Sequence, residues 1–366
     1  MKKFKYKKLN RKQKNLFGLG IIVFVVLVSV VLWLVFDKSA TIKQDFHIEN
    51  ADKITKFVIK DRDNNAVILE KKSDSLWTVN KKYEASLGFV NTMIETLREM
   101  RIRELIPKAA RNRIIKSLAS EGKIAEIYVE DYRIKFWFVK LFKHQYLKET
   151  YYVGHETSDG MGTYMLKKGE KNPYIIYIPR FKGYLATRFT AIEDSWRSHA
   201  IFKYKQSEIE SLKIELPNDS NENFTLVNNG KGFSFFNAQG TQINEFDTGK
   251  VVALLSSFVD MNYERIMHNI PKIEQDTIFT KAPAFIITIK DKKGTEQTLS
   301  TFVKLQDTTS IAKDENDFYN VFDVNRCYAL TSKYPDTLLM QFYTLDNVLK
   351  PASYFMPNAP GIPLMR

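Results

Sequence analysis

Apolar and polar residues alternate along most of the chain, in runs of the length typical of half-buried β-strands. Residues 46–61 start with an aromatic residue, pass through a polar stretch and end in alternating apolar residues, and residues 202–216 repeat this order. A polar turn, a second strand run and an aromatic third run ("SLWTV" or "GFSFF") follow in both places. The recurrence, 156 residues apart from Phe46 to Phe202, indicates a duplicated unit.

Each unit then changes to the spacing of three and four residues that is typical of an amphipathic helix. Ser86 and Asp247 stand at the positions of the helix N-caps. The apolar stripes are Leu87, Val90, Met93, Ile94 and Leu97 in the first unit and Val251, Leu254, Leu255, Phe258 and Val259 in the second.

Both predicted helices are followed by the motif Ile-Pro-Lys, at residues 106–108 and 270–272. Proline has no amide donor and restricts the residue before it, so the motif predicts a break at the same place in each unit. Alternation then returns, with "IAEIYVED" against "AFIITIKD", "TYYVG" against "STFVKL" and "YIIYI" against "CYALT". The units close with "FKGYLATRF" and "YPDTLLMQF", and the first unit inserts a short basic helix that Gly122 ends.

These patterns predict an α+β fold of two tandem, duplicated domains, each with antiparallel strands packed on one main helix. The predicted domains are residues 46–189 and 202–345, followed by a Pro-rich tail at residues 346–366. The linker, residues 190–201, is rich in neither Gly and Ser nor Pro, so we expect the domains to pack against each other.

The N-terminal part of the chain has a different pattern. Residues 1–15 hold eight Lys or Arg and no acidic residue, and residues 16–36, from Leu16 to Phe36, hold no charge. Because about 20 apolar residues cross a bilayer as a helix, we predict a transmembrane helix here. The positive-inside rule then places the basic N-terminus in the cytoplasm and the residues after about Asp37 outside it.

Composition narrows the function classes. Of the net charge of +13, residues 1–15 supply +8, so the rest of the chain carries only +5 and nucleic-acid binding is not expected. The single cysteine, Cys327, provides neither a disulfide nor a cysteine zinc site, and the five histidines lack metal-ligand spacing. The chain has no nucleophile elbow and no phosphate-binding loop. We therefore expect no catalytic residue, metal or cofactor.

Two segments are candidates for contacts with a partner. Residues 133–148 interleave basic and aromatic residues, which suits either a buried strand or a contact surface. The tail suits either an extended docking segment or a disordered terminus. The candidate contact residues are Phe136, Trp137, Phe138, Lys140, Phe142, Lys143, Tyr354, Phe355, Met356, Pro357 and Pro360. By contrast, Asp159 and Gly160 lie between two strand runs and indicate a hairpin rather than a ligand loop.

The succession of "SLWTV", "YYVGHETSDGMGTYML", "PYIIYI" and "DSWRSHAIF" resembles a bacterial family with a tandem domain of unknown function, over residues 46–345. Members of that family are single-pass envelope proteins, in some genomes encoded beside gliding-type ABC transporter auxiliary subunits. The resemblance implies a bacterial inner-membrane protein with a periplasmic ectodomain and no catalytic residues. The second unit lacks the glycines of the first unit's "YYVG" and "GMGTY" element, which argues against two equivalent ligand sites.

Three hypotheses follow. The leading one is a non-enzymatic, membrane-anchored extracytoplasmic scaffold or accessory subunit of a bacterial envelope complex for transport, secretion or gliding. Its partners would be other envelope membrane proteins, in a homo-oligomer or a hetero-oligomer. The alternative is an extracytoplasmic module that binds peptide, glycan or lipid in a cleft between the units. The third is a hydrolase whose site is assembled from dispersed residues.

Overall fold

The structure, a computed structural model, describes residues 11–36, 46–136, 139–306 and 321–357. An N-terminal helix, α1 (Arg11–Phe36), precedes two large antiparallel sheets of nine strands each, which confirms the α+β class and matches the two predicted units. Within the described residues, no helix combines the length and the hydropathy needed to cross a membrane.

The first sheet is built from residues of the first unit. Its strands are β1 (Ile54–Lys60), β2 (Ala66–Ser73), β3 (Leu76–Val79), β4 (Tyr83–Glu84), β5 (Arg101–Leu105), β6 (Lys123–Phe136), β7 (Val139–Glu156), β8 (Thr163–Lys167) and β9 (Tyr174–Tyr177). Two helices accompany them, α2 (Leu87–Glu99) after β4 and α3 (Lys108–Ser120) after β5. The strand order across the sheet is β4-β3-β2-β1-β6-β7-β8-β9-β5.

The second unit begins with β10 (Ala200–Phe202), which pairs with β15 (Met261–Asn262) in a small separate sheet. The strands of the large sheet are β11 (Ile209–Glu215), β12 (Phe224–Asn228), β13 (Phe233–Asn237), β14 (Gln242–Ile243), β16 (Arg265–Ile266), β17 (Phe285–Asp291), β18 (Glu296–Leu305), β19 (Phe322–Thr331) and β20 (Tyr334–Gln341). The helices are α4 (Thr248–Ser256), α5 (Lys272–Ile278) and α6 (Phe342–Leu345). The order β14-β13-β12-β11-β17-β18-β19-β20-β16 matches the first sheet strand for strand.

The duplication extends to individual hydrogen bonds. The pairing of β1 with β6 is irregular directly after Ile54, and the pairing of β11 with β17 is irregular directly after Ile209. The Ile48 amide donates to the Leu97 carbonyl at 2.7 Å, and the Tyr204 amide donates to the Phe258 carbonyl at 2.8 Å. The entering chain is therefore joined to the end of the main helix in the same way in both units.

The predicted matching of the last strands needs correction. "CYALT" lies in β19, the counterpart of β8, whereas "YIIYI" contains β9. "YPDTLLMQF", predicted to be a closing segment, forms β20, which is the counterpart of β9. Short apolar runs look alike in every strand, so the alternation predicts strands without telling which strand is which; the hydrogen-bonded order decides that.

The Ile-Pro-Lys motif has the same structural role in both units. Pro107 stands at the N-cap position of α3, and Pro271 stands at that of α5. The motif therefore separates a strand of the sheet from a short helix, as its predicted break implies. The basic helix predicted as an insertion is α3. It has a shorter counterpart in α5, so the helix is not an insertion and the two units differ here only in its length.

The main helices bury the predicted stripes. Val90, Met93 and Leu97 of α2 lie in the first core, and Val251 and Leu254 of α4 lie in the second. In contrast, Val259 is exposed because α4 ends at Ser256. The side chain of Asp247 accepts a hydrogen bond from the Lys250 amide at 3.0 Å, which confirms the predicted cap, whereas Ser86 makes no side-chain cap bond.

Part of the predicted tail belongs to the second core. The side chain of Phe355 is 0% exposed, and its ring centroid lies 5.1 Å from that of Phe224. The Phe355 carbonyl accepts from the Asp247 amide at 2.8 Å, at the start of α4. Phe355 is therefore not available as a partner contact, contrary to the sequence prediction, because an apolar face inside its own unit already covers it.

We predict that Phe355→Ala lowers the free energy of unfolding by about 3–5 kcal/mol, because it leaves a cavity between aromatic rings. Pro357→Ala, at an exposed position two residues further on, should change it by less than about 0.5 kcal/mol. Urea unfolding followed by circular dichroism gives both values. Equal small losses in the two variants would contradict the assignment of this segment to the core.

Candidate functional site

A buried arginine joins the two units. Arg197 belongs to the linker, and only 2% of its side chain is exposed. Its guanidinium carbon lies 3.5 Å from the ring centroid of Tyr83 in the first unit and 5.3 Å from that of Tyr334 in the second. The guanidinium also donates to the Asp336 carboxylate at 2.8 Å. One side chain therefore contacts an aromatic ring of each unit and a carboxylate of the second.

The linker backbone is held by both units. The Ser198 amide donates to the Glu84 carbonyl at 2.8 Å, and the Ser86 amide donates to the Trp196 carbonyl at 2.8 Å, which fixes the linker to the first unit. On the other side, the Lys333 ammonium donates to the Ala200 carbonyl at 3.1 Å. These contacts tie the linker backbone to residues of both units.

The junction shifts the protonation equilibria of its side chains. Burial alone would lower the pKa of the Arg197 guanidinium, but the hydrogen bond and charge of Asp336 outweigh burial and raise it. Burial raises the pKa of Tyr263 and of Tyr334 to about 12. Burial also lowers the pKa of His199, whose ring stacks on Tyr263 with centroids 4.6 Å apart. At neutral pH the junction therefore holds a cation between uncharged rings.

The first unit carries a ribbon that the second lacks. Pairing of β1 with β6 ends at Val129, and pairing of β8 with β7 begins at Tyr151. Beyond these points β6 and β7 pair only with each other, and we call residues 130–136 and 139–145 the hairpin extension. The corresponding connection of β17 with β18 is a tight turn of residues 292–295, so the extension is an addition to the duplicated plan.

The hairpin extension exposes apolar side chains. Ile134 and Leu141 lie directly opposite each other and are both about half exposed, and Phe142 is 68% exposed. Phe142 also has a φ of 57°, a left-handed conformation that is rare for a bulky residue. At the base, Lys53 pairs with Asp131 at 3.1 Å and Lys143 pairs with Glu130 at 2.6 Å. The sequence allowed either a buried strand or an exposed surface for residues 133–148. Ile134, Leu141 and Phe142 form an exposed surface.

The other candidate contact residues have varied surroundings. Lys140 and Lys143 are exposed on the hairpin extension beside Phe142, and Pro357 is exposed near the C-terminus. Tyr354 and Met356 are half-buried against the second core. The side chain of Phe136 and the whole of Trp137, Phe138 and Pro360 lie outside the described residues.

The loop between β7 and β8 is a hairpin, as the sequence predicts. The Thr157 amide donates to the Gly162 carbonyl at 2.9 Å and closes the turn. Asp159 accepts from Arg103 at 2.7 Å, and this hydrogen bond holds the pKa of that carboxyl well below its usual range. Asp159 is thus engaged in holding the turn against β5.

A cavity of about 500 Å³ lies beside α2 and the linker. Sequence analysis did not predict it, because two of its cationic residues, Lys123 and Arg188, are far apart in the chain and meet only through the fold. The cavity also contains Trp196 and His199 from the linker. Across the described ranges, no group of three or more His, Cys, Asp or Glu side chains could hold a metal ion.

The fold defines an α+β protein of two duplicated sheet units joined by a buried linker. The family model described as Domain of unknown function (DUF4340) matches residues 77–283, from β3 to just before β17. These residues are more than half of the chain, so the chain belongs to this family. The match includes Arg197 and Tyr83 but not Tyr334 or Asp336. No curated protein and no solved structure matches the chain.

We predict that the free energy of unfolding falls as the pH rises from about 10 towards 12. Unfolded tyrosines lose their proton near pH 10, whereas Tyr263 and Tyr334 keep it to about pH 12 in the folded junction. The folded state then binds more protons than the unfolded state, so rising pH favours unfolding. Urea unfolding at pH 9, 10 and 11 measures the decrease.

Lysines titrate in the same range, so the informative quantity is the difference between proteins. Tyr334→Phe cannot ionise at this position and should show a smaller decrease between pH 9 and 11 than the unmodified protein. Tyr343→Phe, at a 90% exposed position, should leave the decrease unchanged. A decrease that is the same in all three proteins would contradict the predicted burial of the Tyr334 phenol.

Proposed function

We propose that this protein is a non-enzymatic, membrane-anchored extracytoplasmic scaffold or accessory subunit of a bacterial envelope complex. The observation that carries the proposal is the hairpin extension, which projects apolar side chains beyond the sheet of the first unit. The proposed partners are other envelope membrane proteins of a transport, secretion or gliding machinery. The absence of a catalytic function is proposed from the lack of catalytic motifs in the sequence.

The geometry of the hairpin extension supports a contact role. A two-stranded ribbon without a third strand is marginally stable in water, and exposed apolar side chains add to its cost. Burial of Ile134, Leu141 and Phe142 against a partner would remove that apolar area from water. The left-handed backbone at Phe142 is consistent with this role, because strained residues cluster at functional sites.

The charge of the extension indicates what kind of partner would fit. Residues 132–148 contain five Lys or Arg and no acidic residue. Complementary charge steers association and fixes which surfaces meet, so the partner surface is expected to be acidic with an apolar centre. Phe142 and Leu141 would provide the centre of the contact, and Lys140 would lie at its rim.

The proposed anchor is α1. Most of its described side chains are apolar and exposed, among them Phe17, Ile22 and Phe24, and contiguous exposed apolar surface marks contact with a membrane or a protein. The charge-free run of residues 16–36 and the basic residues before it support insertion with the N-terminus in the cytoplasm. The proposed location is therefore the bacterial inner membrane, with the two sheet units in the periplasm.

A ligand-binding module is a second candidate function, and the cavity beside α2 favours it. The cavity lies against the first unit and the linker rather than midway between two equivalent units. The two functions are compatible in one protein, because the cavity and the hairpin extension are built from different side chains.

The test is a mild-detergent pull-down of the tagged full-length protein from its native membrane. We expect a defined set of envelope proteins to co-purify. The double variant Leu141→Ser with Phe142→Ser should bind these partners with about thirty-fold lower affinity. That factor corresponds to about 2 kcal/mol, the cost of losing an interface hot spot. A protein containing only residues 1–45 identifies what the anchor alone retains.

The matched control carries Val252→Ser with Tyr343→Ser, which also removes one exposed aliphatic and one exposed aromatic side chain, from α4 and α6. It should retain the partners. A protein that purifies alone and monomeric would contradict the scaffold, and partners retained equally by the hairpin variant would contradict the assignment of the contact to the hairpin extension.

A further inference from the structure

The cavity beside α2 has the size of a small-molecule site. Its volume of about 500 Å³ lies within the range of 300–1,000 Å³ that is common for such sites. One wall is apolar and consists of Phe89 and Met93 from α2 and Trp196 from the linker. The indole of Trp196 donates to the Thr190 carbonyl at 2.9 Å, so its N–H is satisfied within the protein.

The lining of the cavity also includes basic residues. Lys123 at the start of β6, Arg188 before the linker and His199 all line it, together with four Ser or Thr residues and no Asp or Glu. Basic groups thus converge on an apolar wall without a carboxylate among the lining residues. A carboxylate or phosphate group from a ligand is the chemistry that such an arrangement recognises.

The two permanent cations are held in place by neutral partners. The Lys123 ammonium donates to the Ala186 carbonyl at 3.0 Å, and Arg188 donates to the Thr96 hydroxyl at 2.7 Å. The Arg188 guanidinium also lies 4.5 Å from the ring centroid of Phe181. Neither cation has a carboxylate within ion-pair distance among the residues that the structure describes.

Partial burial of these two charges destabilises the folded protein. Burial lowers the pKa of the Lys123 ammonium and of the Arg188 guanidinium, although the charges of Asp61 and Glu95 act in the opposite direction. A partly buried charge without an ionic partner is costly, and an anion in the cavity would offset that cost. The two cations therefore already have fixed positions in the protein without a ligand.

The second unit does not repeat this arrangement. The register of the central strands aligns Ile127 of β6 with Ile289 of β17, which places Phe285 at the position of Lys123. Phe285 is buried and packs in the second core. A cation has thus been placed in only one of two otherwise matching positions, which argues for a specific role in the first unit.

We infer that the cavity beside α2 binds an amphiphilic anion, with its carboxylate or phosphate group between Lys123 and Arg188 and its apolar body against Phe89, Met93 and Trp196. Two classes of ligand combine an anionic head group with an apolar body, namely a fatty carboxylate and a phosphate-bearing lipid. This inference does not depend on the hairpin extension or on the proposed scaffold function.

The test titrates the full-length protein, held in discs of neutral phosphatidylcholine, with octanoate and with octyl phosphate. Isothermal titration calorimetry gives the affinity, and the melting temperature provides a second readout because a ligand of the folded state raises it. Octanol and inorganic phosphate are the controls, since each carries only half of the proposed chemistry. Binding of octanoate alone would identify a fatty carboxylate, and binding of octyl phosphate alone would identify a phosphate lipid.

Arg188→Gln should weaken binding of the anion at least tenfold, whereas Lys171→Gln, at an exposed position outside the cavity, should not change it. Arg188 also contacts Thr96, so a second variant guards against a folding defect. Thr92→Trp places a bulky side chain in the lining without removing a charge and should also abolish most of the binding. Equal binding of octanol and octanoate, unchanged affinity in both cavity variants, or no binding of either anion would overturn the inference.

Discussion

The position of the two units relative to each other depends on one buried cation. Arg197 has almost no contact with water, so the free energy lost by removing its charge from water must be regained inside the protein. The Asp336 carboxylate and the faces of Tyr83 and Tyr334 provide that compensation from both units. Separating the units would leave these groups without their partners, so the junction favours a single arrangement of two sheets. The family match includes Arg197 and Tyr83, whereas Tyr334 and Asp336 lie beyond the matched residues.

The duplication separates what the two units share from what only the first unit has. Both sheets share one strand order, one irregularity in the central pairing and one hydrogen bond that joins the entering chain to the main helix. The hairpin extension and Lys123 are additions to the first unit, where the second has a tight turn and a buried Phe285. Neither addition is needed by the common fold, so both are expected to act on something outside the chain.

Much of the fold could be predicted from the sequence, because period two and period 3.6 are local properties. The longer strands of each unit, the two main helices, the Asp247 cap and the hairpin at Asp159 and Gly160 were predicted, whereas short strands such as β5 and β16 were not. The sequence did not show which of the last strands correspond between the two units, since similar apolar runs fit several places in a sheet. The burial of Phe355 was hidden within a Pro-rich stretch. The burial of Arg197 was also hidden, because nothing local in "DSWRSHAIF" distinguishes a buried arginine from an exposed one. Lys123 and Arg188 could not be paired, because only the tertiary fold brings them to one cavity.

The central claim is that the buried Arg197 and the half-buried Asp336 hold the two units together as an ion pair. A double-mutant cycle with Arg197→Met and Asp336→Ala, read from the free energy of unfolding at pH 7, tests it directly. The account predicts that each single variant loses about 3–5 kcal/mol and that the two losses are coupled by at least about 1 kcal/mol. The exposed pair Lys290 and Glu210, whose charged atoms are 2.7 Å apart against 2.8 Å for Arg197 and Asp336, should show coupling below about 1 kcal/mol in the same cycle. Additive losses for Arg197 and Asp336, no larger than those of the exposed pair, would contradict the account.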